Sequence, residues 1–474
     1  MSDAISDQRE LFALLDEFFR RATGKTPETF APLDGFNEAV KTLKPRLHLV
    51  SESFAWGIPK LHELYSRLRS SLFSAAGAQG GLKVVLGGSS RFGKTQLKCV
   101  RSLILYTDTV LIPDPVLAFI ETERQEERFP HVQILEAIFY LLRLKPLVDS
   151  DCAYPPVIVF PSFERTLAQR DPATRAEMEQ FYVDIYSPLF EQSFSSAWDI
   201  VEYSKTDGAA FLDTVARKKL FVGPGGPVDE PLEAAIDRYR KEIRMYRSAD
   251  HIAQLEGLSE AMFVGNAIME RLEPQFHLIQ NATELRAQPL MAIEQQAYYF
   301  KLIASVKEDV LEKEQVISPA TRATIDALSR QRFSWLSNVD MDALVEMRMN
   351  NENEEFRERL SKNTSLLAEA GLADMDRVSA EVTRSIGSIL NEHRVAAEEL
   401  EARYKPKYSS MAVRGWMSAA GLLIPHLSPL FPVAPAVILA GQYVQTKSEE
   451  RRHRKKLAHS LIGILASATV DDPE

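Results

Sequence analysis

LKVVLGGSSRFGKTQLKCVRSLILY, residues 82–106, is the stretch on which the reading of this chain turns. Its opening LKVVL (82–86) is a short apolar run ending at a pair of glycines, the pattern of a buried strand. Its closing QLKCVRSLILY (96–106) sets Leu97, Val100, Leu103 and Ile104 three or four residues apart, which predicts a helix with one apolar stripe. Between them lies a glycine loop. A strand that feeds such a loop into a helix N-terminus aims unpaired backbone N–H groups at one place. The helix dipole adds partial positive charge there, so the joint favours an anion.

Within the loop, GSSRFGKT (Gly88 to Thr95) matches G-x-x-x-x-G-K-[ST] at each fixed position. By this motif and its flanks, 25 residues in all, the chain resembles the P-loop NTPase superfamily. The resemblance implies a nucleotide partner, ATP or GTP with magnesium. Gly88 and Gly93 would let the backbone wrap a phosphate, and the N–H groups from Arg91 to Thr95 would face its oxygens. Lys94 would neutralise phosphate charge, and the Thr95 hydroxyl would ligate Mg²⁺. The acidic partner of such a site is poorly supplied. TVLIPD ends in Asp114 but Pro113 interrupts it, VIVFPSFE reaches Glu164 only after Pro161, and no D-x-x-G occurs. SKTD, Ser204 to Asp207, departs from the guanine-reading [NT]-K-x-D at its first residue. Asp114 with Glu121 and Glu123 could instead form a carboxylate cluster for a metal, although Asp114 in IPDP reads more simply as a turn between a strand and a helix. A plain joint also stays open: Gly87 and Gly88 end a strand, Ser89 or Ser90 caps a helix, and Lys94 is a solvated helix residue.

The wider sequence predicts a predominantly helical α+β or α/β protein, with a small, mostly parallel sheet and a large helical region. Residues 1–80 read as helical, with Leu11, Phe12, Leu14, Leu15, Phe18 and Phe19 on one face and a second helix over 59–75. Residues 81–226 carry the strand signals 82–86, 109–113, 156–160 and KLFVG at 219–223, separated by helical stretches such as 131–144. Residues 227–404 read as helices throughout. They end in a helix over 340–369 and a second over 374–404, where Met375, Val378, Val382, Ile386, Ile389, His393, Ala396 and Leu400 form a heptad-like seam. The two are expected to pair as a long antiparallel, coiled-coil-like hairpin, within the chain or in a homo-oligomer.

Residues 405–474 stand apart. Gly415 to Thr446 contains no charged residue in 32 positions, and four prolines cut it into halves too short to span a bilayer. It reads either as an apolar helical hairpin on an anionic membrane surface, with the run Arg451 to Lys456 on headgroups, or as a buried helix pair. Residues 405–464 hold nine basic and two acidic side chains, a net +7 that leaves −17 for the rest of a chain of net charge −10. That balance argues against a general nucleic-acid binder. Two cysteines and an acidic, amphipathic start fit a cytoplasmic protein, peripheral to the membrane on the first of those readings. The histidines and cysteines have no zinc spacing, and no G-x-S-x-G marks a nucleophile elbow. Two function classes follow: a nucleotide-binding protein acting through the glycine loop, or a non-enzymatic helical interaction or membrane-surface protein acting through 340–474.

Overall fold

The computed structural model describes residues 2–30, 35–43, 47–87, 92–122, 131–161, 172–246, 249–313, 334–336, 339–369, 374–408 and 417–419. The chain is predominantly helical around a small parallel sheet. Helices α1 (Ser2–Thr23), α2 (Gly35–Leu43) and α3 (Leu47–Ala78) precede strand β1 (Lys83–Leu86). Helix α4 (Lys94–Leu103) leads to β2 (Thr109–Pro113), and α5 (Pro115–Thr122), α6 (His131–Leu142) and α7 (Lys145–Val148) lead to β3 (Val157–Phe160). There follow α8 (Pro172–Phe190), α9 (Ala197–Thr206), α10 (Gly208–Arg217), α11 (Leu232–Tyr246), α12 (Ala249–Glu256) and α13 (Glu260–Glu284). Strand β4 (Gln288–Leu290) and helix α14 (Glu294–Lys313) come next. The last elements are β5 (Ser334–Leu336), α15 (Met341–Met349), α16 (Glu354–Glu369), α17 (Met375–Tyr408) and β6 (Met417–Ala419).

The sheet has the order β3-β2-β1-β4, with every pairing parallel. Its strands are apolar on both faces, as a parallel sheet covered on both sides requires. Val84, Leu86, Val110, Ile112, Val157 and Val159 point into one apolar cluster, while Val85, Leu111, Ile158 and Phe160 point into another. The first cluster also holds Phe12, Phe18 and Phe19 of α1, the Leu61–Leu72 stripe of α3, and Leu97, Val100 and Leu103 of α4, so residues 1–80 share a core with the sheet. Each of these large, fully buried side chains contributes roughly 1.5–3 kcal/mol. The outer edge of β3 is closed by a side chain. Gln8 of α1 donates from Nε2 to Val157 O and accepts from Val159 N–H through Oε1, both at 2.9 Å, which removes an edge that could pair with another chain.

The fourth strand is not where the sequence pattern placed it. KLFVG at 219–223 forms no strand: Leu220 and Phe221 are buried in a separate helical cluster, and Val222, also buried, donates its N–H to the Tyr299 hydroxyl at 3.1 Å. The strand that joins the sheet beside β1 is Gln288–Leu290, within a region expected to be helical throughout. Helices α8 to α14 build that second cluster, and α13 ties it to the sheet. Phe263, Ala267 and Leu272 of α13 lie in the helical cluster, whereas Leu278, Ala282 and Leu285, beyond the internal Pro274, pack under the sheet.

The expected long helix over 340–369 is two helices, α15 and α16. The chain breaks between them at Asn351 and Asn353, both at positive φ, a conformation asparagine tolerates better than most residues. Helix α17 does pack along α16, with Val382, Ile389, Ala397, Leu400 and Tyr404 buried and Val378 and Ala396 half-buried. The side chains of Ile386 and His393 lie outside the described residues. Of the apolar stretch 415–446, only 417–419 is described. It forms a strand antiparallel to β5, where a helical half was expected. No described helix is long and apolar enough to cross a membrane.

Candidate functional site

Strands β1, β2 and β3 step in one direction across the sheet, and β4 is added on the other side of β1. The strand order therefore reverses between β1 and β4. In open parallel sheets this reversal leaves a crevice beyond the carboxyl ends of the strands, where ligands bind. Leu86 and Leu290, the last residues of the two strands, are in register. Gly87 N–H extends the ladder by one bond to Leu290 O at 2.9 Å. Leu278 of α13 closes on Gly87, where an added Cβ would sit 3.0 Å from its Cδ2. The chain thus leaves β1 at Gly87, at the reversal point.

Beyond the loop, Phe92 is buried, which pins the chain just before α4. Gly93 is the N-cap, and Lys94 and Thr95 are the first two residues of the helix. The Gln96 side chain is buried and accepts the Gly93 N–H through Oε1 at 2.9 Å. This is the helix-side half of a capping box, with glycine in place of the usual serine or threonine. Lys94 is half-buried and Thr95 exposed. A cation, a hydroxyl and the positive end of a helix dipole are therefore brought together at the carboxyl edge of the sheet. Gly88 and Arg91, the other two residues singled out from the motif, lie outside the described residues. Cys99, one turn further along α4, is fully buried, and desolvation pushes its thiol up to about 12, so it is an inert core residue.

Asp114 follows β2, the neighbour of β1, and is 1% exposed. Its Oδ1 accepts the N–H groups of Val116 (2.8 Å) and Leu117 (3.1 Å), capping α5, and its Oδ2 accepts the Tyr65 hydroxyl at 2.7 Å. Burial raises its pKa against the lowering effect of these bonds. Burial, and then the Asp114 carboxylate, push the Tyr65 phenol well above its ordinary value. Both carboxylate oxygens are thus engaged in holding the β2–α5 joint, the turn role that IPDP suggested. Glu123 and the side chain of Glu121 lie outside the described residues. Among the described residues, no three His, Cys, Asp or Glu side chains gather where they could hold a metal ion.

Two residues of this neighbourhood were not singled out in the sequence. Gln96 carried a usable signal, since it stands three residues after a candidate N-cap. Tyr65 carried none, because its ring belongs to the apolar stripe of α3 and its hydroxyl finds Asp114 only in the folded chain. Comparison of the chain with protein-family models, curated proteins and solved structures finds no match.

Proposed function

We propose that this protein binds a nucleoside triphosphate, ATP or GTP with magnesium, at the carboxyl edge of its sheet. The observation that carries this reading is positional. The one stretch of the chain with a complete phosphate-loop pattern follows the central strand β1, leaves the sheet where the strand order reverses, and delivers Lys94 and Thr95 at the N-terminus of α4. Lys94 then meets the β/γ-phosphates, and the Thr95 hydroxyl meets the magnesium ion. Asp114 has no direct part unless it gives up Tyr65 or the α5 cap, so the remaining magnesium ligands are phosphate oxygens and water. The reading goes no further than binding.

The test is a titration of the full chain with labelled ATP and GTP in the presence of magnesium. The Lys94→Ala variant loses a charge-assisted phosphate contact, expected to weaken binding by ~1.5–3 kcal/mol, about 10- to 150-fold. Absence of binding at millimolar nucleotide, or equal binding by the variant, refutes the reading.

A further inference from the structure

Helix α4 is held at its far end by a segment more than two hundred residues away. Arg101, in its last turn, donates to Val339 O. The turn that follows it, Leu105 to Asp108, takes two more guanidinium groups. Arg348 of α15 donates to Thr107 O at 3.1 Å and to Asp108 O at 2.9 Å. Arg357 of α16 donates to Leu105 O at 3.3 Å and, through Nε, to Asp108 Oδ1 at 2.8 Å. Phe356 meets the Tyr106 ring edge to face. Arg348 and Arg357 are both buried. Three cations thus sit at the C-terminal, partially negative end of the helix whose N-terminus carries Lys94 and Thr95.

The two ends of α4 are set by different kinds of force. Its apolar stripe, Leu97, Val100 and Leu103, holds it against the core, but apolar contact is non-directional and tolerates a small slide along the axis. The guanidinium–carbonyl bonds are directional and fix where the helix stands. A phosphate site at the other end, about 15 Å away for ten residues of helix, needs that position held to within roughly half an ångström. A ten-residue helix is also marginal by itself, so each end anchor lowers the ordering cost the other must meet.

We propose that residues 339–369 are a regulatory arm for the glycine-loop site: docking of the arm on the Leu105–Asp108 turn and occupation of the site by a phosphate-bearing ligand favour each other. This rests on the nucleotide-binding reading above. Because coupling of two binding equilibria is reciprocal, a ligand at Lys94 must tighten the arm, and a loosened arm must weaken the ligand by the same factor.

The experiment is amide hydrogen exchange on the full-length protein with and without millimolar Mg-ATP or Mg-GTP, read in two peptide regions. Protection of 93–97 reports occupation of the site, and 339–357 reports the arm. The expected result is slower exchange in both. In parallel, Arg357→Lys, which keeps the charge but loses the planar fork, is expected to weaken nucleotide binding about 5-fold or more. Ile303→Ala, in the separate helical cluster, lowers stability comparably and is expected to leave affinity unchanged. Protection of 93–97 with no change in 339–357 overturns the coupling and leaves the binding site standing. Equal loss of affinity in Arg357→Lys and Ile303→Ala overturns it too, since the effect is then general destabilisation. No nucleotide binding to the wild type refutes the binding site itself and the coupling with it. If Arg357→Lys does not fold, the wild-type exchange data decide alone.

Discussion

Strand β2 carries a buried aspartate at each end, and the two are satisfied in opposite ways. At its amino end, Asp108 Oδ2 accepts Leu82 N–H at 2.7 Å while Oδ1 meets the guanidinium of Arg357, a charged partner brought from α16. At its carboxyl end, Asp114 has only neutral partners among the described residues, the Tyr65 hydroxyl and two N–H groups of its own helix. The difference assigns different work to the two edges of the sheet. The amino edge is a structural seal in which remote parts of the chain are joined by buried charge. At the carboxyl edge the Asp114 carboxylate is held by neutral groups, and Lys94 stands at a helix N-terminus. The turn before β1 reinforces the seal. Gly81 is at φ +75°, and a Cβ there would sit 2.6 Å from Asp108 Oδ2, so glycine is required for Asp108 to reach Leu82.

The largest effect expected from this contrast is at Arg357. Arg357→Met leaves the Asp108 carboxylate buried without its cation, a situation that costs about 3–5 kcal/mol. Denaturant unfolding of the variant measures it. A loss under about 1 kcal/mol, the range of an exposed pair, breaks the comparison by placing the amino edge among ordinary surface salt bridges. Asp108→Asn together with Arg357→Met, which removes both charges, is expected to recover part of the loss.

A smaller effect is expected at Asp114, and its sign is the useful part. Asparagine caps a helix about as well as aspartate, so Asp114→Asn changes stability by ~1 kcal/mol or less at pH 4. The Asp114 carboxyl has a folded-state pKa above its ordinary 3.8, so the native state binds the proton more tightly than the unfolded chain. Through that window the wild type therefore loses stability as pH rises, and asparagine does not. The variant is expected to gain on the wild type as pH climbs from 4 toward 7. Parallel pH profiles mean that Asp114 carries no desolvation penalty, and its likeness to Asp108 is then closer than the hydrogen bonds suggest.

How much of this the sequence made legible follows from the length scale of each signal. LKVVL, TVLIP and PVIVF are continuous apolar runs next to turn residues, and each contains a strand within a residue of the expected limits. QPL at 288–290 offers three residues, one of them proline, and is a strand only because β1 presents an open edge to it. KLFVG reads as a strand by itself and fails because the Tyr299 hydroxyl and the helical cluster take it first. The same division holds at the candidate site. The places of Gly93, Lys94 and Thr95 at the start of α4 were legible because a strand–loop–helix pattern is local in sequence. The Asp114–Tyr65 contact spans 49 residues and the Asp108–Arg357 contact 249, and no local pattern encodes either.

A pH-dependent effect is expected at Lys83, on the amino edge beside Asp108. Its ammonium donates to Ala76 O at 2.9 Å and to Gly77 O at 3.1 Å, neutralising the C-terminus of α3. Desolvation, with Arg286 nearby, lowers its pKa from 10.5 to about 8. Between those two values the unfolded chain holds a proton that the folded chain does not, so stability rises with pH across the window, and below it the charged form carries a constant penalty. Tyrosines act in the opposite sense above pH 10, because desolvation pushes phenols such as that of half-buried Tyr298 up to about 12. The difference between wild type and Lys83→Met cancels that common contribution. Lys83→Met is expected to be less stable than wild type at all pH values, from the loss of two carbonyl contacts, with the gap widening from pH 8 to 10.5. A gap that narrows over that range means Lys83 is held by charge rather than tolerated despite it. The seal at the amino edge would then extend from the Asp108–Arg357 pair to the end of α3.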